Sequence, residues 1–165
     1  MAVQISGPRA DLDGLAHLAQ LWAELHRHHL EVADYEGLVA DVDFSWASRL
    51  EWHRRVVAEG GRYLTATDDD GRLIGYAMIS VEPGPDDTFD ITGGIAEVVT
   101  LVVSRGRRSA GVGQALLKAA ERVARDHGFD TVKIAVMSGN ARAQAFYEAH
   151  GYSVGEHVLY RRLER

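Results

Sequence analysis

The sequence predicts an α/β fold: one mixed sheet with helices on its faces. Two observations carry this. Apolar residues recur at helical spacing in four stretches and form short β-prone runs in six others. The two kinds interleave, in the order β-α-α-β-β-β-α-β-α-β, which suits a single sheet covered by helices. The length of 165 residues allows one compact domain and is too short for two well-built ones.

Each element has its own signal. "VQIS" is a first short strand. "DLDGLAHLAQLWAELHRHH" places Leu12, Leu15, Leu18, Leu21, Trp22 and Leu25 at helical spacing, with Asp11 as its N-cap. "HLEVADYEGLVADVD" is an irregular acidic connection. "FSWASRLEWHRRVVAEG" is a second helix, with Trp46, Leu50, His53 and Val57 on one side and Gly60 and Gly61 at its end. "RYLTAT" and "LIGYAMISV" flank the turn "DDDGR" and read as a hairpin. "EPGPDDTFDITGG" holds two of the three prolines and is a loop. "IAEVVTLVV" is a strongly β-prone strand, and a helix follows from about Val112 to His127, closed by Gly128. "TVKIAVM" is another strand. "NARAQAFYEAH" is a short helix with Asn140 as N-cap and Gly151 past its end. "YSVGEHVLYRRL" supplies a last bent strand or hairpin.

Composition narrows the function. The chain is 46% hydrophobic and 25% charged, as expected of a soluble globular protein. It has no cysteine, which excludes a disulfide framework, a thiol nucleophile and a Cys-ligated zinc site. That is compatible with a reducing cytoplasm, the expected location. No apolar leader is visible at the N-terminus, and no run approaches the ~20 apolar residues of a membrane span. A net charge of −6 disfavours nucleic acid and mildly favours a cationic partner such as an amine.

Against that acidic background stands "RGRRSAGVGQALL", Arg105 to Leu117. A strand, a glycine-rich turn and a helix start make an anion site. The free N–H groups and the helix dipole favour negative charge, and glycine permits close backbone approach. A phosphate or pyrophosphate is the first physical guess. A Walker loop requires lysine where Val112 stands. A dinucleotide fingerprint requires glycine where Leu116 stands, and no βαβ unit opens the chain. The pattern that fits is R-x-x-G-x-G, read as Arg108, Gly111 and Gly113.

This pattern resembles the acetyl-CoA pyrophosphate loop of the GNAT superfamily of N-acetyltransferases. "LVVSRGRRSAGVGQALL" resembles the family's strand, loop and helix over its whole length. "NARAQAFYEAHGY" resembles its second cofactor segment, N-x-x-A-x-x-F-Y-x-x-x-G-[FY]. The resemblance covers residues 62–163 by element order. Over residues 1–60 it rests on two helices and no motif. It implies a single GNAT-like domain over residues 1–165, with a mixed, mostly antiparallel sheet of about six or seven strands and about four helices on its faces. It implies acetyl-CoA as cosubstrate, with the pyrophosphate on the amides of Arg108, Ser109, Ala110, Gly111, Val112, Gly113 and Gln114. Arg107 and Arg108 are candidates to neutralise phosphate, whereas Arg105 reads as a solvated loop arginine. Leu101, Val102 and Val103 are expected along the acyl–pantetheine arm, which in the family inserts where a bulge splays this strand from its neighbour. Asn140 is expected to help hold the pantetheine.

Acetyl transfer to an amine needs a base, an oxyanion donor and a proton for the leaving thiolate. An alkylammonium, with a pKa of ~10.4, is no nucleophile until it loses a proton. Tyr147 lies seven residues after Asn140, nearly two helical turns, so both face one side. Alone, Tyr147 reads as an ordinary half-buried tyrosine. By resemblance it is the general acid toward the thiolate. Glu97 interrupts an apolar strand, and alternation sets it on the face of Ile95, Val99, Leu101 and Val103. It stands eleven residues before Arg108, the position of the catalytic glutamate in histone-type members of the family. It is therefore the candidate base, or else a group that attracts a cationic amine. The oxyanion donor is expected to be a backbone N–H around Val102 or Val103.

"HRHHLEVADYE" invites a metal through His26, His28, His29, Asp34 and Glu36. Its histidines do not share a helical face and no H-E-x-x-H spacing is present, so it reads as a solvated helix end with no metal. By resemblance the segment borders the acceptor pocket, where Asp34 and Tyr35 are candidate substrate contacts. The expectation is direct acetyl transfer from acetyl-CoA to a primary amine of a small molecule or peptide, in a ternary complex with no acyl-enzyme. The alternative is a non-catalytic acyl-CoA-binding module of the same fold. Homodimers are common among similar proteins.

Overall fold

The computed structural model describes residues 3–82, 88–108 and 110–163. β1 (Gln4–Arg9) leads through a 3-10 turn (Asp13–Leu18) into α1 (Ala19–Val32) and α2 (Val42–Ala58). β2 (Arg62–Thr67), β3 (Leu73–Glu82) and β4 (Ile95–Val103) follow. A second 3-10 turn (Arg105–Arg107) precedes α3 (Val112–Asp126), β5 (Thr131–Lys133) and α4 (Ala141–Glu148). The sheet runs β1-β2-β3-β4-β5 in space. Its first four strands pair antiparallel, and β5 joins β4 in parallel. A parallel pair needs a crossover, and α3 is that crossover. No helix is long and apolar enough to cross a membrane, among the described residues.

Helix starts follow local chemistry. Asp41 caps α2, its carboxylate accepting from the Phe44 N–H at 2.7 Å, a bond worth about 1 kcal/mol. The Asp11 carboxylate accepts from the Gly14 N–H at 3.1 Å, but it precedes a 3-10 segment whose N-cap is Leu12, and α1 itself starts behind Leu18 with no side-chain cap.

The sheet has a core on each face. Ile74, Ala77, Ile79, Ala96 and Val98 pack under Val112, Leu116, Ala120 and Val123 of α3. On the opposite face Tyr63, Tyr76, Met78 and Val102 pack against Leu15, Leu18 and Leu21 and against Val56 and Val57 of α2. Leu15 and Leu18 are fully enclosed, about 2 kcal/mol each of transfer free energy.

Three expectations need correction. The sheet has five strands among the described residues, not six or seven. Residues 152–163 carry no strand, and "TVKIAVM" pairs only over Thr131–Lys133. A strand needs a neighbour's ladder, and a three-residue edge offers little. The terminal segment accordingly leaves Val158, Leu159 and Leu163 exposed. The third correction concerns the face of Glu97. The β3–β4 register slips between Met78 and Ile79, which face Thr100 and Val98, so Val99 is an extra residue in β4. Such a bulge reverses the alternation beyond it. Glu97 pairs with Ser80, on the side of Met78 and Tyr76, and so shares its face with Thr100 and Val102. Leu101 and Val103 lie on the α3 side instead.

Candidate functional site

The glycine turn leaves its backbone open at the start of α3. Gly111 is the residue before α3 and has φ +78°, a left-handed conformation that side chains other than glycine's disfavour. A Cβ placed there would meet nothing within 4 Å, so the backbone faces open space. The first α3 amides are those of Val112, Gly113 and Gln114, and Ala115 is the first to bond back, to the Gly111 carbonyl at 3.0 Å. A Cβ on Gly113 would reach within 3.6 Å of Phe146 and 3.7 Å of Val103. Those are ordinary contact distances, and they show that β4, α3 and α4 meet at this position. Ser109 lies outside the described residues. Ala110 is exposed beside the turn.

The arginines divide into two kinds. Arg105 Nη2 donates to both carboxylate oxygens of Glu31 at 2.7 Å, and the Arg105 backbone N–H donates to Glu24 at 2.8 Å. Glu24 also accepts from the Ser104 hydroxyl at 3.2 Å. Arg107 donates to Asp68 at 2.8 Å. The Asp68 side chain is 2% exposed and also accepts from the Asp70 and Arg72 N–H groups. Two arginines thus anchor the turn to α1 and to the β2–β3 turn. Arg105 is solvent-exposed, as expected, and is in addition tied to α1. Arg108 differs. Its Nε makes only a 3.4 Å contact with the Val103 carbonyl. Burial, then Arg105 and Arg142, pull its pKa below the usual arginine value, so negative charge is favoured beside it. Glu24, Glu31 and Asp68 escaped the sequence reading. The two glutamates stand seven apart on α1, which puts them on one face, but nothing local names their partner.

β4 and β5 pair only at Ile95, Ala96 and Glu97, opposite Thr131, Val132 and Lys133. From Val98 to Val103 the β5-side edge of β4 has no ladder, so the strands part there. The Ser104 N–H donates to the Ile74 carbonyl at 2.8 Å. Alternation then aims the Val102 N–H at β3 and leaves Leu101 and Val103 pointing their amides into the opening. The Val103 carbonyl, in contact with Arg108, agrees with that direction. Leu101 and Val103 are half-buried and Val102 is buried.

α4 forms the far wall. The Asn140 side chain accepts from the Ala143 N–H at 3.2 Å, as its capping role requires. Tyr147 is 9% exposed, between the rings of Phe146 and Tyr152 at 5.1 and 5.7 Å. Burial pushes its phenol up to about 12, so it stays protonated and can donate at neutral pH. Glu97 sits where β4 and β5 still pair. Lys133 bridges it at 3.3 Å and Glu82 at 3.0 Å. The carboxylate is therefore paired rather than alone. Asp34 accepts from Ser138 at 3.2 Å, two residues before Asn140, and Tyr35 packs on Tyr160 at 5.1 Å. The α1–α2 connection thus reaches the start of α4.

The "HRHH" segment is less solvated than its sequence suggests. His26 is buried, stacked with Trp22 at 6.5 Å and 3.3 Å from the Ser45 hydroxyl. Burial, ahead of His28, Arg49 and His26, lowers His29 to about 4. Trp22, one turn before His26 and two before His29, contacts both imidazoles at 6.5 Å.

A family model described as the acetyltransferase (GNAT) family matches residues 19–152. Among curated relatives, the mycothiol acetyltransferase of Clavibacter michiganensis is 37% identical over 100 residues, 60% of this chain and 29% of that protein. That of Beutenbergia cavernae is 36% identical over 99 residues, 59% of this chain and 30% of that protein. The matched region thus spans less than a third of either relative. Among solved structures, a putative acetyl transferase from Pyrococcus furiosus superimposes with TM-score 0.76 at 19% identity, covering 98% of this chain and 100% of that one. AAC(6')-Iy, solved with the bisubstrate analogue CoA-S-monomethyl-acetylneamine, superimposes with TM-score 0.71 at 19% identity over 100% of each chain. These two likenesses concern the fold.

Proposed function

The chain belongs to the acetyltransferase (GNAT) family, and from that premise we propose that it acts as one domain that moves an acetyl group from acetyl-CoA directly to a primary amine, both bound at once. One observation carries this most. The open left-handed turn at Gly111 and the free amides of α3 stand beside a strand whose edge is unladdered from Val98 to Val103. A pyrophosphate on the amides of Arg108 to Gln114 directs the thioester arm into that opening. Arg108 meets the phosphate, and Arg107, anchored to Asp68, holds the turn in shape.

The chemistry then distributes as follows. The Val103 amide donates to the carbonyl oxygen as it gains charge, since the Val102 amide is turned toward β3. Glu97, on the face of Thr100 and Val102, takes the amine's proton or holds the ammonium before it is lost. Tyr147 donates to the departing thiolate sulfur, and Asn140 helps hold the pantetheine. The nitrogen–carbon bond forms as the carbon–sulfur bond breaks. AAC(6')-Iy, captured with CoA and acceptor joined in one molecule, supports a fold that holds both together. The mycothiol acetyltransferase relatives support acetyl transfer as the reaction.

Initial rates with acetyl-CoA and amine both varied test the scheme. A ternary complex gives intersecting double-reciprocal lines. Parallel lines would point to an acyl-enzyme and overturn direct transfer.

A further inference from the structure

Between α2 and the sheet lies a group of polar side chains with no role in the scheme above. His53 and Arg49 stand out among them. His53 is fully buried, and neither ring nitrogen has a hydrogen-bond partner among the described residues. Its ring lies 6.0 Å from Tyr76 and 6.3 Å from Trp46. The Tyr76 hydroxyl and the Thr100 side chain are buried beside it and are each other's polar neighbours. Buried polar groups are ordinarily bonded, so the isolated His53 ring needs a reason.

Arg49 stands one turn before His53, on the same helix face. Its guanidinium is held between two indoles, 4.1 Å from the Trp22 ring and 4.7 Å from the Trp52 ring. Contact with an indole face holds a guanidinium by its charge and does not use its N–H donors. Among the described residues, no carboxylate comes within ion-pair distance of it and it donates no hydrogen bond. A half-buried, rigidly clamped cation without an anion is a receptor for one, and the planar fork matches a carboxylate.

We propose that Arg49 is a specificity residue of the acceptor site and binds a carboxylate on the molecule whose amine is acetylated. The acceptor class is then an amino acid or an amino-acid-like compound. This rests on the acetyl-transfer reading above. The placement supports it. Because of the bulge, Glu97, Thr100 and Tyr76 all face the α2 layer. The Glu97–Ser80 pair stands four residues along β3 from Tyr76, about 13 Å. The ammonium end goes to Glu97 and the carboxylate end toward Arg49, along the α2 side of the sheet.

The test uses linear amino acids from glycine to aminododecanoic acid, each beside its primary amide. With wild-type protein, thiol release is expected to favour the acid over the amide by about ten-fold or more in kcat/KM. Arg49→Gln removes that preference with acetyl-CoA affinity retained, and Arg49→Lys restores part of it. The best chain length reports the Glu97–Arg49 separation. A second readout needs no turnover: N-acetyl forms of the same pairs are titrated against tryptophan fluorescence, since Trp22 and Trp52 flank Arg49. Saturable change with the acid and none with the amide is expected. Equal responses, no response to either, or an acid preference that survives Arg49→Gln overturns the proposal. Saturable acid binding with no thiol release from any compound would leave the carboxylate site standing and refute acetyl transfer instead.

Discussion

Tyr147 and His53 show what single residues contribute and what a sequence reveals of them. Tyr147 was legible because its motif is local: Asn140, Phe146 and Gly151 fix its place on one short helix. Tyr147→Phe is expected to lower kcat by about ten-fold to a thousand-fold with little change in acetyl-CoA affinity. Wild-type turnover in that variant would remove Tyr147 from the chemistry. His53 was read from sequence only as one member of an apolar stripe. Its isolation depends on Trp46, Trp52 and Tyr76 closing around it, and that is a tertiary fact. Burial, with Arg49 second, lowers its pKa to about 3 from 6.5. The unfolded chain therefore binds the proton more readily. Stability contributed by the neutral ring is present above about pH 6.5 and is lost as pH falls toward 3. At pH 5 the loss from His53 alone is about 2 kcal/mol, and His29 acts in the same direction. Thermal melts at pH 7 and pH 5 should show a lower Tm at pH 5, with a smaller drop in His53→Leu. An identical drop in both proteins would contradict this account.

At the scale of elements, the proposed cofactor site rests on a strand, a turn and a helix start. The turn at Gly111 was legible because strand, glycines and helix start follow one another without a gap. Gly111→Glu is expected to abolish acetyl-CoA binding by calorimetry, since it strains a φ of +78° and brings charge to the phosphate position. Unchanged affinity in the folded variant would place the phosphate elsewhere. What holds the turn was not legible. Asp68 lies in "DDDGR", which reads as an ordinary hairpin turn, yet its buried carboxylate fastens Arg107 from 39 residues away. Asp68→Asn should raise the KM for acetyl-CoA about ten-fold or more while kcat changes little. A loss confined to kcat would contradict a positioning role. The bulge at Val99 was equally hidden, because it is a property of two strands in register. It decides which face Glu97 serves, and an argument from alternation alone chose Leu101 and Val103 as its neighbours.

For the whole molecule, interleaved periodicities were enough to read one sheet between helical layers, and the order of elements up to α4 agrees. The last strand failed because strand propensity is not strand formation: residues 152–163 have the apolar pattern but only a three-residue edge nearby. The global charge of −6 likewise hid how charge is used. Arg105 and Arg107 spend theirs on Glu31 and Asp68, leaving Arg108 beside the Gly111 turn and Arg49 between its indoles. Together the two cores place the cofactor turn, the open edge of β4 and the paired Glu97 along one strand. The central claim is that this strand delivers acetyl from acetyl-CoA to an amine. The most direct measurement follows free CoA thiol from acetyl-CoA as primary amines, peptides and proteins are added one at a time. The account predicts thiol release that depends on at least one amine, with acetylated product formed mole for mole. Saturable CoA binding with no amine-dependent release from any of them would contradict it and leave an acyl-CoA-binding module.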